Sequence, residues 1–166
     1  MHCAHPLSYF TKDDHSEIAA ACTYEALRDI ALRILHRMPP GVSMVCGPIS
    51  TGGLGSIEKN LIRFGRAIEL LAGCNVNVFT QIPFEDALKR TRGDGLPYKN
   101  GLALLETFYY PIFSSGRVAR LCFLPDWQSS FGTQWEHGCA EELNLTRAYF
   151  QENFESCALD AMLRTM

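Results

Sequence analysis

Apolar side chains recur every four positions at Ile18, Cys22, Ala26, Ile30 and Ile34, while Arg28, Arg33 and Arg37 fall off that stripe. The spacing predicts one amphipathic helix from near Asp13 to Met38. Pro39-Pro40-Gly41 ends it, because proline lacks the donor that a helix interior needs. The apolar run Val42 to Cys46 reads as a buried strand, which leads through Gly47-Pro48-Ile49-Ser50-Thr51-Gly52-Gly53-Leu54-Gly55 into a helix capped by Ser56. In that helix Ile57, Leu61, Phe64, Ile68 and Leu71 repeat with a period close to 3.6, and Gly73 is a natural stop. Cys74 to Ile82 then alternates, with Asn75 and Asn77 on one face and Val76 and Val78 on the other, as a half-buried or edge strand does.

A weaker helix is expected from Phe84 to Thr91, followed by a turn-rich loop from Arg92 to Pro97. Leu102 to Phe113 is apolar and aromatic and reads as helical up to Pro111, its aromatics serving core or subunit contact. Leu121 to Leu124 has the length and composition of a buried parallel strand. A polar loop, Pro125 to Gly132, follows it, and a helix is expected to open at Thr133. Leu145 to Phe150 suits a last strand, and Gln151 to Met166 a last helix with Phe154, Ala158, Ala161 and Met162 on its apolar side. Strand, helix, strand of these lengths implies right-handed parallel crossovers, hence an α/β domain. No repeat, low-complexity segment or linker divides the chain.

Composition narrows this picture. At 166 residues the chain suits one well-buried domain, and 47% apolar with 20% charged residues is ordinary for a globular protein. A net charge of −3 gives no reason to expect a nucleic-acid or membrane surface. Lacking a cleavable signal and a spanning apolar run, the chain is expected to be cytoplasmic. Its seven cysteines are scattered singly with no CxxC pair, the pattern of reduced, mostly buried thiols. His2, Cys3 and His5 could hold a metal only in principle, at a chain end, and neither metal nor organic cofactor is expected.

The chemistry concentrates in Arg120 to Glu142, a strand, a polar loop and a helix start, since ligands of open α/β sheets collect outside the carboxyl ends of the strands. With Thr133 as N-cap, Glu136 falls at the third helical position, where the positive end of the helix dipole keeps a carboxylate ionised. Such a carboxylate can attack an electrophilic sugar carbon. Thr-Gln-Trp-Glu is equally an ordinary capping box. The glycine-rich turn at 47–55 is open in the same way: a tight connection, or a cradle of backbone N–H groups at a helix N-terminus that holds an anion. It has neither a Walker Gly-Lys-Ser/Thr nor a GxGxxG spacing. His137 points about 100° away from Glu136 around the helix, so the two make no catalytic pair. Trp127 and Trp135 could close over a base or pack on the sheet.

Gly-Pro-Ile-Ser-Thr-Gly-Gly at 47–53 and W-x-S-S-x-G-x-x-x-E at 127–136, with Leu124-Pro125 ahead, Ala140 and Leu143 after, and Asn60 and Phe64 between, resemble the nucleoside 2-deoxyribosyltransferase-like superfamily, including its nucleotide N-hydrolase branch. The resemblance covers Val42 to Tyr149 and implies a three-layer, flavodoxin- or Rossmann-like parallel sheet with helices on both faces. Residues 1–41 would then be an N-terminal helical extension, 42–150 the core and 151–166 a C-terminal helix. It implies cleavage or exchange of the N-glycosidic bond of a nucleoside or its 5′-monophosphate, with Glu136 as nucleophile. Gly47, Ser50, Gly52 and Gly53, with Ser130 and Gly132, would hold substrate or phosphate. It also implies a homodimer or larger homo-oligomer.

The chain departs from that pattern in one respect. The family's aspartate, roughly 25 residues ahead of the glutamate, would fall near Pro111, and the Ala-Asp pair expected at the strand start is Val118-Ala119. Asp126, in the loop at the strand end, is the favoured substitute as acid, with Glu106 as second choice. Without such an acid the chain would be a catalytically weak or inactive nucleotide-binding module.

Overall fold

The structure, a computed structural model, describes residues 4–92, 99–152, 154 and 163–165. Strands β1 (Val42–Cys46), β2 (Val78–Phe79), β3 (Val118–Phe123), β4 (Thr146–Phe150) and β5 (Leu163–Thr165) form one sheet in the order β2-β1-β3-β4-β5. The first four are mutually parallel, and β5 runs antiparallel to β4. The helices are α1 (Lys12–Ala20), α2 (Tyr24–Arg37), α3 (Ile57–Gly73), α4 (Glu85–Arg92), α5 (Lys99–Leu104), α6 (Tyr110–Phe113) and α7 (Phe131–Glu142).

Strand periodicity splits the apolar residues between two faces. Met44, Cys46, Leu121 and Phe123 pack under α1, α2, α4, α6 and α7, whereas Val45, Cys122, Leu124 and Ala148 pack against α3, Phe154 and Leu163. Both faces are covered, so the expected three-layer α/β architecture is present. The N-terminal segment supplies part of one layer: Leu27, Ala31, Ile34 and Leu35 of α2 are fully buried.

Several boundaries differ from expectation, each for a local reason. The long N-terminal helix is two. Ala21 adopts extended backbone, and the Thr23 hydroxyl accepts the Ala26 N–H at 3.2 Å, starting α2 afresh and leaving Cys22 exposed. The arginines off the predicted stripe fasten the pair together, because Arg33 and Arg37 both reach Asp14, a buried member of the Thr11 capping box. Ser56 caps α3 as predicted, but Ile57 is 44% exposed and the buried face begins at Asn60. Strand β2 keeps two residues of the predicted nine and lies at the sheet edge.

Pro111 does not end its helix. A π-helical turn, Leu105–Tyr109, precedes α6, and the proline falls in the first turn of α6, where a missing donor is tolerated. The predicted C-terminal helix is contradicted at 163–165. There the open edge of β4 offers unpaired backbone groups and Leu163 pairs with Phe150 instead. Gln151, Glu152 and Phe154 are not helical either, and the rest of that helix, residues 153, 155–162 and 166, together with the predicted loop at 93–97, lies outside the described residues. Of the cysteines described, Cys46, Cys122 and Cys139 are buried, Cys74 is partly so and Cys22 is exposed.

Candidate active site

The chain leaves β1 for β2 on one side and returns to β3 on the other, so the strand order reverses between β1 and β3. A crevice opens at the carboxyl ends of strands at such a point. Two loops line it. The glycine-rich turn follows Cys46, and the segment from Leu124 to Ser130 follows Phe123. They touch: the Gly53 N–H donates to the Ser129 hydroxyl at 2.9 Å.

The glycines at this junction are dictated by space and backbone. Gly52 and Gly53 have φ of +71° and +65°, and a Cβ on either would lie 2.4 Å from Ser129 Oγ or Asn60 Oδ1 respectively. A Cβ at Gly47 would strike Leu124 at 2.5 Å. Asn60, buried on α3, is the staple. Its amide donates to the carbonyls of Ile49 (3.0 Å) and Gly52 (3.1 Å), and its side-chain carbonyl accepts the Leu54 N–H at 2.8 Å. A cavity of about 270 Å³ lies against this turn and the start of α3, bounded by Ser50, Thr51, Gly52, Ser56 and Asn60 among others. Asn60→Ala strands three backbone groups and is expected to destabilise the fold by about 3 kcal/mol, read as a lower urea midpoint at unchanged m-value.

Helix α7 opens at Phe131, with Ser130 as its extended N-cap, two residues before the predicted start at Thr133. Glu136 therefore sits in the second helical turn, where the N-terminal dipole has faded. The capping box is absent, and Thr133 is a buried helical residue. Glu136 is only 6% exposed, and its carboxyl is pushed up to about 8 by burial. A hydrogen bond from the Cys46 thiol opposes that rise, and the neighbouring Glu85 adds to it. The expectation of a permanently ionised Glu136 is thus reversed: in the free protein this acid is mostly protonated at neutral pH.

Glu85 is the partner that the sequence reading missed. It is the first residue of α4, reached from β2 through a 3-10 turn at Ile82–Phe84. Burial, then repulsion from Asp86, pushes its carboxyl up to about 7. Tyr109, held by the π-helical turn, is buried beside both acids, and its phenol is raised well above the ordinary value by burial and by the charges of Glu85, Glu136 and Cys46. Four titratable groups from β1, α4, the π-helical turn and α7 therefore share one compartment. The only local sign of Glu85 is an acid in the first turn of a helix directly after a strand.

The favoured acid, Asp126, is committed elsewhere. It lies in left-handed backbone at φ 58°, and its two oxygens accept from Arg63 at 2.9 and 3.4 Å. Glu106 points to solvent from the π-helical turn. Ser130 is buried and Gly132 half-buried in the first turn of α7, following the Ser129 contact. Trp127 lies flat on His137, with centroids 4.2 Å apart and planes 8° from parallel, and the His137 Nε2 meets the Tyr149 hydroxyl at 2.7 Å. Burial and the charge of Arg147 lower the His137 pKa. These side chains pin the loop after β3 to α7 and β4, and Trp135 packs edge-on against Tyr110. Leu54, Ile57 and Phe131 are exposed on the loops and helix starts that border the crevice.

No family model, curated protein or solved structure matches the chain. Among the described residues no group of three or more His, Cys, Asp or Glu side chains is placed to hold a metal ion. His2 and Cys3 lie outside the described residues, and the His5 ring pairs with Glu69 at 3.2 Å. No described helix is long and apolar enough to cross a membrane.

Proposed function

We propose that the protein cleaves or exchanges the N-glycosidic bond of a nucleoside 5′-monophosphate or nucleoside, with Glu136 as nucleophile and Glu85, in place of Asp126, as the acid. The observation that carries this reading is a pair of carboxyls with raised pKa values near Cys46 at the carboxyl end of β1, Glu136 buried and Glu85 half-buried. Two acids in one low-dielectric compartment are the equipment for acid-assisted displacement at an acetal carbon. The glycine-rich turn that follows Cys46, held by Asn60 against the start of α3 and bordered by a cavity, supports a 5′-phosphate site.

In the reactive form the pair holds one proton. Substrate binding selects the arrangement with that proton on Glu85 and the charge on Glu136, where the Cys46 thiol donates to it, although in the free protein the higher value of Glu136 holds the proton there. A Glu136 oxygen attacks C1′, the bond from C1′ to the base nitrogen breaks, and Glu85 delivers its proton to the departing base. Water, or a second base, then attacks C1′ of the glycosyl ester with Glu85 now accepting the proton, and the Glu136 carboxylate is released. No metal or organic cofactor enters this scheme.

Two coupled carboxyls titrate as a unit. The kcat/KM profile is therefore expected to be a narrow bell with limbs near the pair's values of about 7 and about 8. Incubating the pure protein with a panel of nucleosides and nucleotides, and assaying free base by chromatography, tests the reading; release that survives Glu136→Ala removes it. The burial of Glu136 favours a second reading, a nucleotide-binding module with weak or no turnover, which predicts saturable binding without base release, unchanged by Glu136→Ala. The exposed Leu54, Ile57 and Phe131 support a homo-oligomer in which a neighbouring copy covers the crevice rim.

A further inference from the structure

Arg120 is a charged residue on β3, the central strand, on the sheet face that is apolar further along. Its register partners are Ser43 on β1 and Thr146 on β4, which places the three in one row across the sheet. Two residues further along, the same face carries Val45, Cys122 and Ala148, packed under α3. Helix α3 ends at Gly73, so the row is left open beneath the turn that follows it. A cavity of about 360 Å³ occupies this place, lined by Ser43, Asn75, Asn77, Arg120 and Thr146 among others.

Within it the Arg120 Nε is buried and has no hydrogen-bond partner, and among the described residues no carboxylate pairs with this guanidinium. A cation brought partly out of water is costly unless an anion and hydrogen bonds compensate it. Ser43 is 3% exposed and adds a hydroxyl beside it. The lining is thus a guanidinium and neutral side chains, with no acid among its described residues. Ser43 is three residues before Cys46, or roughly 10 Å along β1, and on the opposite face from it, so this cavity is separate from the carboxyl pair.

We propose that this cavity at the amino ends of β1, β3 and β4 is a second ligand site, which binds a small organic oxyanion through Arg120, Ser43 and Thr146. The planar guanidinium offers a two-pronged set of donors that matches a carboxylate or a phosphate group. The volume leaves room for an organic body attached to it.

The test is a titration of ¹⁵N-labelled protein with succinate and, separately, with inorganic phosphate, following the Arg120 Nε–H and the backbone amides of Ser43, Asn77 and Thr146. Saturable shifts at these signals are expected, with affinity about tenfold or more weaker in Arg120→Gln, while phosphate shifts at Gly52 and Gly53 stay as in the parent. Shifts with succinate alone assign a carboxylate, with phosphate alone a phosphoryl group, and with both a general oxyanion site. Because Arg120 lies mid-sheet, Thr146→Glu provides a second arm: a carboxylate in register with Arg120 should raise Tm and abolish the anion-induced shifts. The proposal is overturned by the absence of saturable shifts with either anion, by equal affinity in Arg120→Gln, or by a Thr146→Glu variant that binds as the parent does.

Discussion

Glu136→Gln is expected to make the protein more stable at alkaline pH and to leave it without base-releasing activity. The sign follows from linkage. An unfolded glutamate titrates near 4.5 and the folded Glu136 at about 8, so between these values the folded state holds a proton that the unfolded state has lost. Stability therefore falls as pH rises through that window and levels off above it. At about 1.4 kcal/mol per unit, the advantage of the glutamine variant should grow by about 4 kcal/mol between pH 5 and pH 9. Urea denaturation of both proteins at the two pH values measures it. An advantage that does not change with pH would mean that Glu136 is solvated like any surface acid. The gain in stability and the loss of turnover both come from the placement of an acid in an apolar layer.

Glu85→Gln is the second large effect, and it separates two ways in which this acid could matter. As proton donor to the leaving base, Glu85 should contribute 10²–10⁴-fold to kcat, the range usual for general-acid help. That loss should be nearly absent for an N7-methylated purine nucleotide, whose base departs without needing a proton. A Glu85 that merely shapes the compartment would give the same loss with both substrates. Asp126→Asn serves as the contrast: it breaks the pair with Arg63, and base release is expected to stay within a few-fold of the parent.

Much of the architecture was legible in the chain because buried strands leave an unbroken apolar signature. Val42 to Cys46 and the run from Leu121 both mark strands that are present, and the long helical connection between them goes with a parallel sheet. The meeting of the turn at 47–53 with the loop at Ser129 was also foreseeable, since both follow neighbouring strands at their carboxyl ends. What failed was register at helix starts. Ser130 and Thr133 are both cap residues by type, and the helix begins after Ser130, whose backbone is extended although its side chain makes no capping hydrogen bond. Moving the start to Phe131 turned an expected dipole-stabilised carboxylate into a buried, neutral acid. Thr23 interrupts the N-terminal helix by the same chemistry, although the apolar stripe runs straight through it.

Glu85 was hidden for a different reason. The acid is expected roughly 25 residues ahead of Glu136, but the sheet order places β2 beside β1, so the compartment is completed from a segment far upstream. Nothing local encodes which strand becomes a neighbour. Asp126 had the right position in the loop, and only the Arg63 side chain on α3 reveals that it is already engaged.

The central claim is that Glu136 becomes covalently attached to the sugar. A nucleotide bearing 2′-fluoro-2′-deoxyribose, in which the electron-poor sugar slows release of the glycosyl ester, tests it directly by mass spectrometry of proteolytic fragments after acid quench. The account predicts added mass equal to the fluorinated sugar phosphate on the fragment containing Glu136, accumulating as free base appears and absent in Glu136→Gln. Base release with the label on another residue, or intact nucleotide with no adduct at all, would contradict it.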